Sequence, residues 1–136
     1  MKTRSFRLLP GQDLRKEIDV YVEKHNIKAG VILTCVGNLQ KAVLRMANAE
    51  ITKTFHDSYE IVSLVGTVEK GNSHLHIALA DMHGNVIGGH LKNGSIVGFT
   101  AEVVIGELED TLFSRKHDAQ TGFEELIVEN HHSRDH

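Results

Sequence analysis

Residues 74–91 read HLHIALADMHGNVIGGHL, and the rest of the chain is understood outward from this stretch. Two apolar runs flank Asp81-Met82-His83-Gly84-Asn85, whose Asp, Gly and Asn tolerate turn conformations, so the pattern predicts a β-hairpin. With the turn centred on His83, Ala80 falls opposite Val86, Ala78 opposite Gly88 and His76 opposite His90. Side chains alternate along a strand, so His74 and His76 share a face, and antiparallel pairing brings His90 to the same face. Leu75, Ile77 and Leu79 then point the other way, into a core. The neighbours of the three imidazoles are small: Ala78, Ala80 and Gly88. His74, His76 and His90 make the ligand set of an open zinc site, in which a fourth position is left to water or substrate. Polar residues on the solvated face of a half-buried hairpin produce the same alternation. The convergence of three histidines puts a metal or anion site ahead of that simpler account. His83 could be a fourth ligand or a gate, but a solvated turn residue explains it more simply.

The composition bounds the rest. At 136 residues the chain has the length of one domain, expected over residues 1–128. A polar tail at 129–136 carries His131, His132 and His136 and no apolar residue, and mobility is expected there. Hydrophobic and charged fractions of 40% and 24% are near globular averages, so no long segment needs to be disordered. No apolar run approaches membrane-spanning length, and residues 1–7 lack the pattern of a secretory signal, so a cytoplasmic protein without membrane association is expected. Cys35 is the sole cysteine, which excludes an internal disulfide; within an apolar run it reads as a small buried hydrophobe rather than a nucleophile. The net charge of -3 comes without any block of Lys and Arg, which argues against a protein held to nucleic acid by phosphate contacts alone.

Taken in order, residues 3–9 alternate as a first strand. Leu14, Ile18, Tyr21 and Val22 then recur at helical spacing behind the capping residue Asp13. Arg15, Lys16, Glu17, Asp19 and Glu23 fall on what reads as a solvated helix face. A buried strand is expected over 30–36, closed by Gly37-Asn38, followed by a separate strand over 40–46. That second strand carries Arg45, a candidate anion ligand if the sheet forms a pocket or an oligomer contact. A short strand over 50–55, a turn at His56-Asp57-Ser58 and a long strand over 59–68 lead into the hairpin. Residues 96–108 form a further strand in which Glu102 is the weak catalytic candidate. It could act as a general base beside a hairpin metal or orient a histidine, although an exposed edge glutamate is the more ordinary assignment. Residues 109–115 carry no clear pattern, 117–122 form a loop, and 123–128 a last strand. Many strands with one amphipathic helix near the N-terminus indicate an α+β fold on a mainly antiparallel sheet. Walker, Rossmann and paired-cysteine motifs are absent from the sequence.

Several segments in order resemble the plants-and-prokaryotes conserved (PPC) domain: residues 8–14 (LLPGQDL), 59–67 (YEIVSLVGT), the whole of 74–91, 100–106 (TAEVVIG) and 121–126 (TGFEEL). The His-Leu-His to Gly-Gly-His-Leu block is the most telling. The resemblance implies a compact α+β domain associated as a homotrimer, and some relatives look able to hold zinc on histidines corresponding to His74, His76 and His90. In plant relatives the domain follows an Arg-Gly-Arg-Pro hook that contacts AT-rich DNA, while the domain itself trimerises and recruits partners. This sequence contains no such hook, and of the plant recruiting segment only Glu60 and Ile61 are matched. Stand-alone prokaryotic relatives are labelled DNA-binding by that analogy.

Three readings are therefore open, in different classes. The first is a trimeric binding module, DNA-binding or regulatory, whose assembly could gather Arg4, Arg7, Arg45 or Arg115 into a positive patch. The alternative is a zinc-dependent enzyme or small-molecule sensor using the three histidines, with Glu102 or Asp81 as proton acceptor. A protein that only assembles, and carries something else's function, is the third.

Overall fold

A computed structural model describes residues 1–131. The tail residues His132 and His136 lie outside the described residues. After the first strand, β1 (Lys2–Leu8), Asp13 opens the helix α1 (Leu14–Lys24), its Oδ1 accepting a hydrogen bond from Lys16 N at 3.1 Å. The other carboxylate oxygen accepts from Gly94 N at 2.6 Å, so the residue that caps the helix also anchors a distant turn. The helical spacing places Leu14, Ile18 and Val22 in one buried stripe. Asn26, at φ 51°, ends the helix.

The remaining strands are β2 (Gly30–Arg45), β3 (Thr52–Glu69), β4 (Asn72–Ala80), β5 (Val86–Leu91), β6 (Ile96–Glu107), β7 (Thr111–His117) and β8 (Glu124–Asn130). The first six form one antiparallel sheet in the order β1-β6-β2-β3-β4-β5. The α+β class with a single helix near the N-terminus is thus the observed fold. β5 also returns to β2, pairing Leu91 with Leu44 and His90 with Arg45, so the sheet curls back on itself. Its inner face carries Leu39, Leu44, Leu75, Leu79, Leu91, Val103 and Ile105, which with the helix stripe make the core. No helix among the described residues is long and apolar enough to cross a membrane. Cys35 is buried, and burial with the nearby Glu102 charge pushes its thiol up to about 12, so it is an inert core residue.

Three expectations need correction, and one unassigned segment takes a definite form. Gly37-Asn38 does not close a strand: β2 runs through it, because Gly37 lets β6 approach so closely that a Cβ there would meet Thr100 O at 1.9 Å. Nor do His56-Asp57-Ser58 make a turn. Between the pairs Leu39–Tyr59 and Lys41–His56, Asp57 and Ser58 face the single residue Gln40, a β-bulge inside the continuous strand β3. Residues 109–115, without a clear pattern in sequence, supply β7, which pairs with β8 as a separate two-stranded ribbon. The last strand runs past 128 through Glu129 and Asn130, and His131 N donates to Asp110 O at 2.6 Å, so this part of the polar tail is structured. The ribbon is pinned to the sheet by Arg115, whose Nε donates to the buried Glu69 carboxylate at 2.8 Å.

β4 lies close against β3 at Gly66, where φ is 155° and a Cβ would lie 2.0 Å from His74 O. Gly66→Ala should therefore cost about 2 kcal/mol or more through backbone strain and overpacking. Urea unfolding measures this; a loss below about 0.5 kcal/mol, the range of ordinary surface changes, would show that the close approach is not needed.

Candidate metal centre

The hairpin turn is held by one carboxylate. Asp81 Oδ1 accepts from His83 N and from Asn85 N, both at 2.9 Å, while Asp81 N donates to Asn85 O at 2.9 Å. The resulting register pairs Ala80 with Val86, Ala78 with Gly88 and His76 with His90, as the sequence pattern predicts. Leu75, Ile77 and Leu79 are buried on the inner face, which leaves His74, His76 and His90 together on the outer one. The ring centroids are 5.0 Å apart for His74–His76, 5.2 Å for His74–His90 and 5.6 Å for His76–His90. One nitrogen from each ring lies within 4.8 Å of the other two, so the three histidines could hold a metal ion. Zinc–nitrogen bonds of about 2.0 Å in a tetrahedron set nitrogens about 3.3 Å apart, a contraction of the order of an ångström that side-chain torsions supply. His74 and His76 are exposed and His90 half-buried, so the site is open on one side.

Coordination needs neutral imidazoles. Desolvation, then the charges of Arg45 and Arg15, take His90 down to about 4. His74 is lowered too, by partial desolvation and then by His76 and Arg115. Both rings are therefore neutral at pH 7. Arg45 is brought here by the β2–β5 pairing and donates to His90 Nδ1 at 3.3 Å.

The structure separates some candidates from the site. Glu102 is exposed on β6, paired with Arg7 of β1 and Val36 of β2, and Val36 is nine residues along β2 from Arg45. Alternation predicts its face, but strand order sets it apart from the histidines, and the structure does not bring the two together. Asp81 is occupied by its turn, and His83 is exposed. Arg4 is paired with Glu107 at 3.0 Å, and Arg7 bonds Thr100 and Phe99 O; neither lines the cleft beside the histidines. Charged groups that sequence reasoning did not assign to the histidines line a cleft of about 410 Å³ beside His74 and His90: Arg15, Lys92, Arg115, Glu124 and Glu125. Arg15 was expected on a solvated helix face; instead its guanidinium reaches over the strand ends and donates to Leu91 O at 3.1 Å and Ser73 O at 3.3 Å.

Comparison with known proteins adds an independent line. The model of the Plants and Prokaryotes Conserved (PCC) domain matches residues 1–109. The bifunctional protein GlmU of Synechococcus sp. (strain JA-3-3Ab) is 37% identical over 129 residues, 95% of this chain and 21% of that protein. The chain thus spans about a fifth of the length of the curated relatives it matches. A hypothetical protein from Salmonella enterica superposes with a TM-score of 0.92 at 37% identity, covering 95% of this chain and 94% of the other. A metal-containing protein from Archaeoglobus fulgidus gives 0.78 at 31% identity, with 93% and 94% covered. A protein from Bacteroides thetaiotaomicron named for DNA binding gives 0.83 at 22% identity, covering 92% and 91%, and so shares the fold.

In the metal-free protein the His90 ring should titrate near pH 4 in an NMR titration, well below the ordinary 6.5. Because the folded value is depressed, the unfolded chain takes up more protons between these two, and stability present above pH 6.5 is lost as the pH falls towards 4. Arg45→Ala should raise the midpoint. A wild-type midpoint at or above the ordinary value would show that His90 is neither desolvated nor crowded by cations.

Proposed function

The chain belongs to the Plants and Prokaryotes Conserved (PCC) domain family, and from that premise we propose that it is an assembling, metal-dependent binding module that holds one zinc ion on His74, His76 and His90. The observation that carries this is the convergence of three imidazole nitrogens within 4.8 Å on one sheet face. Nitrogen donors of this kind suit zinc, and a relative 31% identical to this chain is a metal-containing protein. When bound, zinc with an open position acts as a Lewis acid on whatever ligand reaches it. The protein's own part is to present three ligands on a rigid hairpin and to keep Arg45 beside them. With Glu102 remote from the histidines, a binding or sensing role is better supported than hydrolysis. A cytoplasmic location belongs to the same proposal, in keeping with a single, buried cysteine.

Assembly is supported by an apolar patch on the outer face of the sheet. The β2–β3 register sets Leu33 level with Val65 and Val36 level with Val62, and all four are exposed. Val65 is also paired with His76, so the patch runs up to the histidines, and a second copy seated on it would shield the open side of the site. A homotrimer is the assembly proposed, on the family likeness. A second reading, DNA binding, is favoured by the fold neighbour of that name. It requires affinity for duplex that falls steeply as salt rises.

Elemental analysis should find one zinc per chain in protein whose His131, His132 and His136 are replaced by alanine. His90→Ala should weaken zinc binding by about a hundredfold or more while costing less than about 1 kcal/mol of stability, since the ring is not part of the core. Zinc content unaffected by His90→Ala would refute the site. Light scattering should give three times the 15.1 kDa chain mass, and Val36→Asp with Val62→Asp should return a single chain; a wild-type monomer would remove the assembly half of the proposal.

A further inference from the structure

The cleft of about 410 Å³ beside the histidines has an unusual charge balance. Of its four permanent cations, two are compensated: Arg115 by Glu69 at 2.8 Å, and Arg15 by Asp19 at 3.8 Å. Arg45 and Lys92 are in no ion pair among the described residues. Arg45 spends its one side-chain hydrogen bond among these residues on His90, a neutral acceptor. Arg15, Arg45, Lys92 and Arg115 line this one cleft, so the fold holds like charges close to one another. Unpaired like charges held together by the fold cost free energy, and an anion seated between them removes that cost. A divalent ion on the histidines adds to the same positive field. Moreover, a His90 Nδ1 that accepts from Arg45 is not free to coordinate, so coordination through that nitrogen would release the guanidinium to another partner.

The size and rim of the cleft narrow the ligand. Its volume falls in the range of small-molecule sites, about 300–1,000 Å³. Phe123, Glu124 and Glu125 from the β7–β8 ribbon line it too, and Glu124 lies 3.5 Å from His117. Two carboxylates at one side repel an extended polyanion such as a nucleic-acid backbone. They accept hydrogen bonds from the hydroxyl or ammonium groups of a compact molecule. We infer that this cleft binds a small oxyanion, the carboxylate or phosphate of a metabolite-sized molecule, through Arg45 and Lys92, beside His74 and His90. The cation pair stands on its own observation; only the contact with a bound metal rests on the function proposed above.

Calorimetric titration of the full chain, zinc-loaded and metal-free, with inorganic phosphate and separately with acetate tests this. At least one anion should saturate the wild-type protein. Arg45→Gln and Lys92→Gln, each checked for native circular dichroism, should weaken binding about tenfold, as expected for loss of one charge-assisted contact. Lys16→Gln, on the exposed side of α1, should leave it unchanged. Preference for phosphate over acetate assigns a phosphate ester, and the reverse a carboxylate. Failure of both anions to bind at concentrations on the order of 10 mM, or equal affinity in wild type and both variants, overturns the inference. One zinc per chain without anion binding would leave the metal site standing and remove the anion cleft. Arg45-dependent anion binding without zinc uptake would do the opposite.

Discussion

The structure depends on the register of one hairpin. Two hydrogen bonds from the backbone to Asp81 shape its turn, each worth roughly 1 kcal/mol net. The larger constraint is hydrophobic. Slipping β4 against its neighbours by one residue would expose Leu75, Ile77 and Leu79 and turn His74 and His76 inward. Each aliphatic side chain exposed costs about 1.5–3 kcal/mol, and each imidazole buried without a partner adds to the penalty. The histidines therefore meet on the outer face because the core leaves them no alternative, and the turn carboxylate selects the pairing that sets His76 opposite His90.

A second constraint follows from the curl of the sheet. β5 is bonded to β4 along one side and reaches β2 on the other, which joins Arg45 to the histidine face. The helix adds Arg15 from the strand ends, and the β7–β8 ribbon adds Arg115 over Glu69. Basic groups scattered over more than a hundred positions of an acidic chain thus come to share one cleft, next to rings that their charge and desolvation keep neutral. Net charge averaged over the sequence conceals such a local field, which is why the value of -3 says little about what this face attracts.

The parts legible in the sequence were those governed by short-range periodicity. The hairpin, its register and its three histidines lie within eighteen consecutive residues, and alternation with turn chemistry is enough to set them. The helix was equally legible from Asp13 and the Leu14, Ile18, Val22 stripe. Longer-range features were not. Asp57 and Ser58 have turn chemistry, yet flanking ladder pairs hold them in a bulge within β3. Arg15 adjoins the buried stripe, and helical periodicity alone cannot show that its long side chain bends to backbone carbonyls of the sheet. Glu102 failed for the complementary reason: strand alternation reports a face, whereas its distance from the histidines depends on the order of strands in the sheet.

The central claim is that three imidazoles from two adjacent strands close on a single ion. Crystals of the full-length wild-type protein grown with equimolar zinc, with diffraction data collected on both sides of the zinc absorption edge, address it most directly. The expected result is one anomalous peak per chain, about 2.0–2.1 Å from a nitrogen of each of His74, His76 and His90. A map without a peak there, with the zinc bound elsewhere and the three rings still separated, would contradict it.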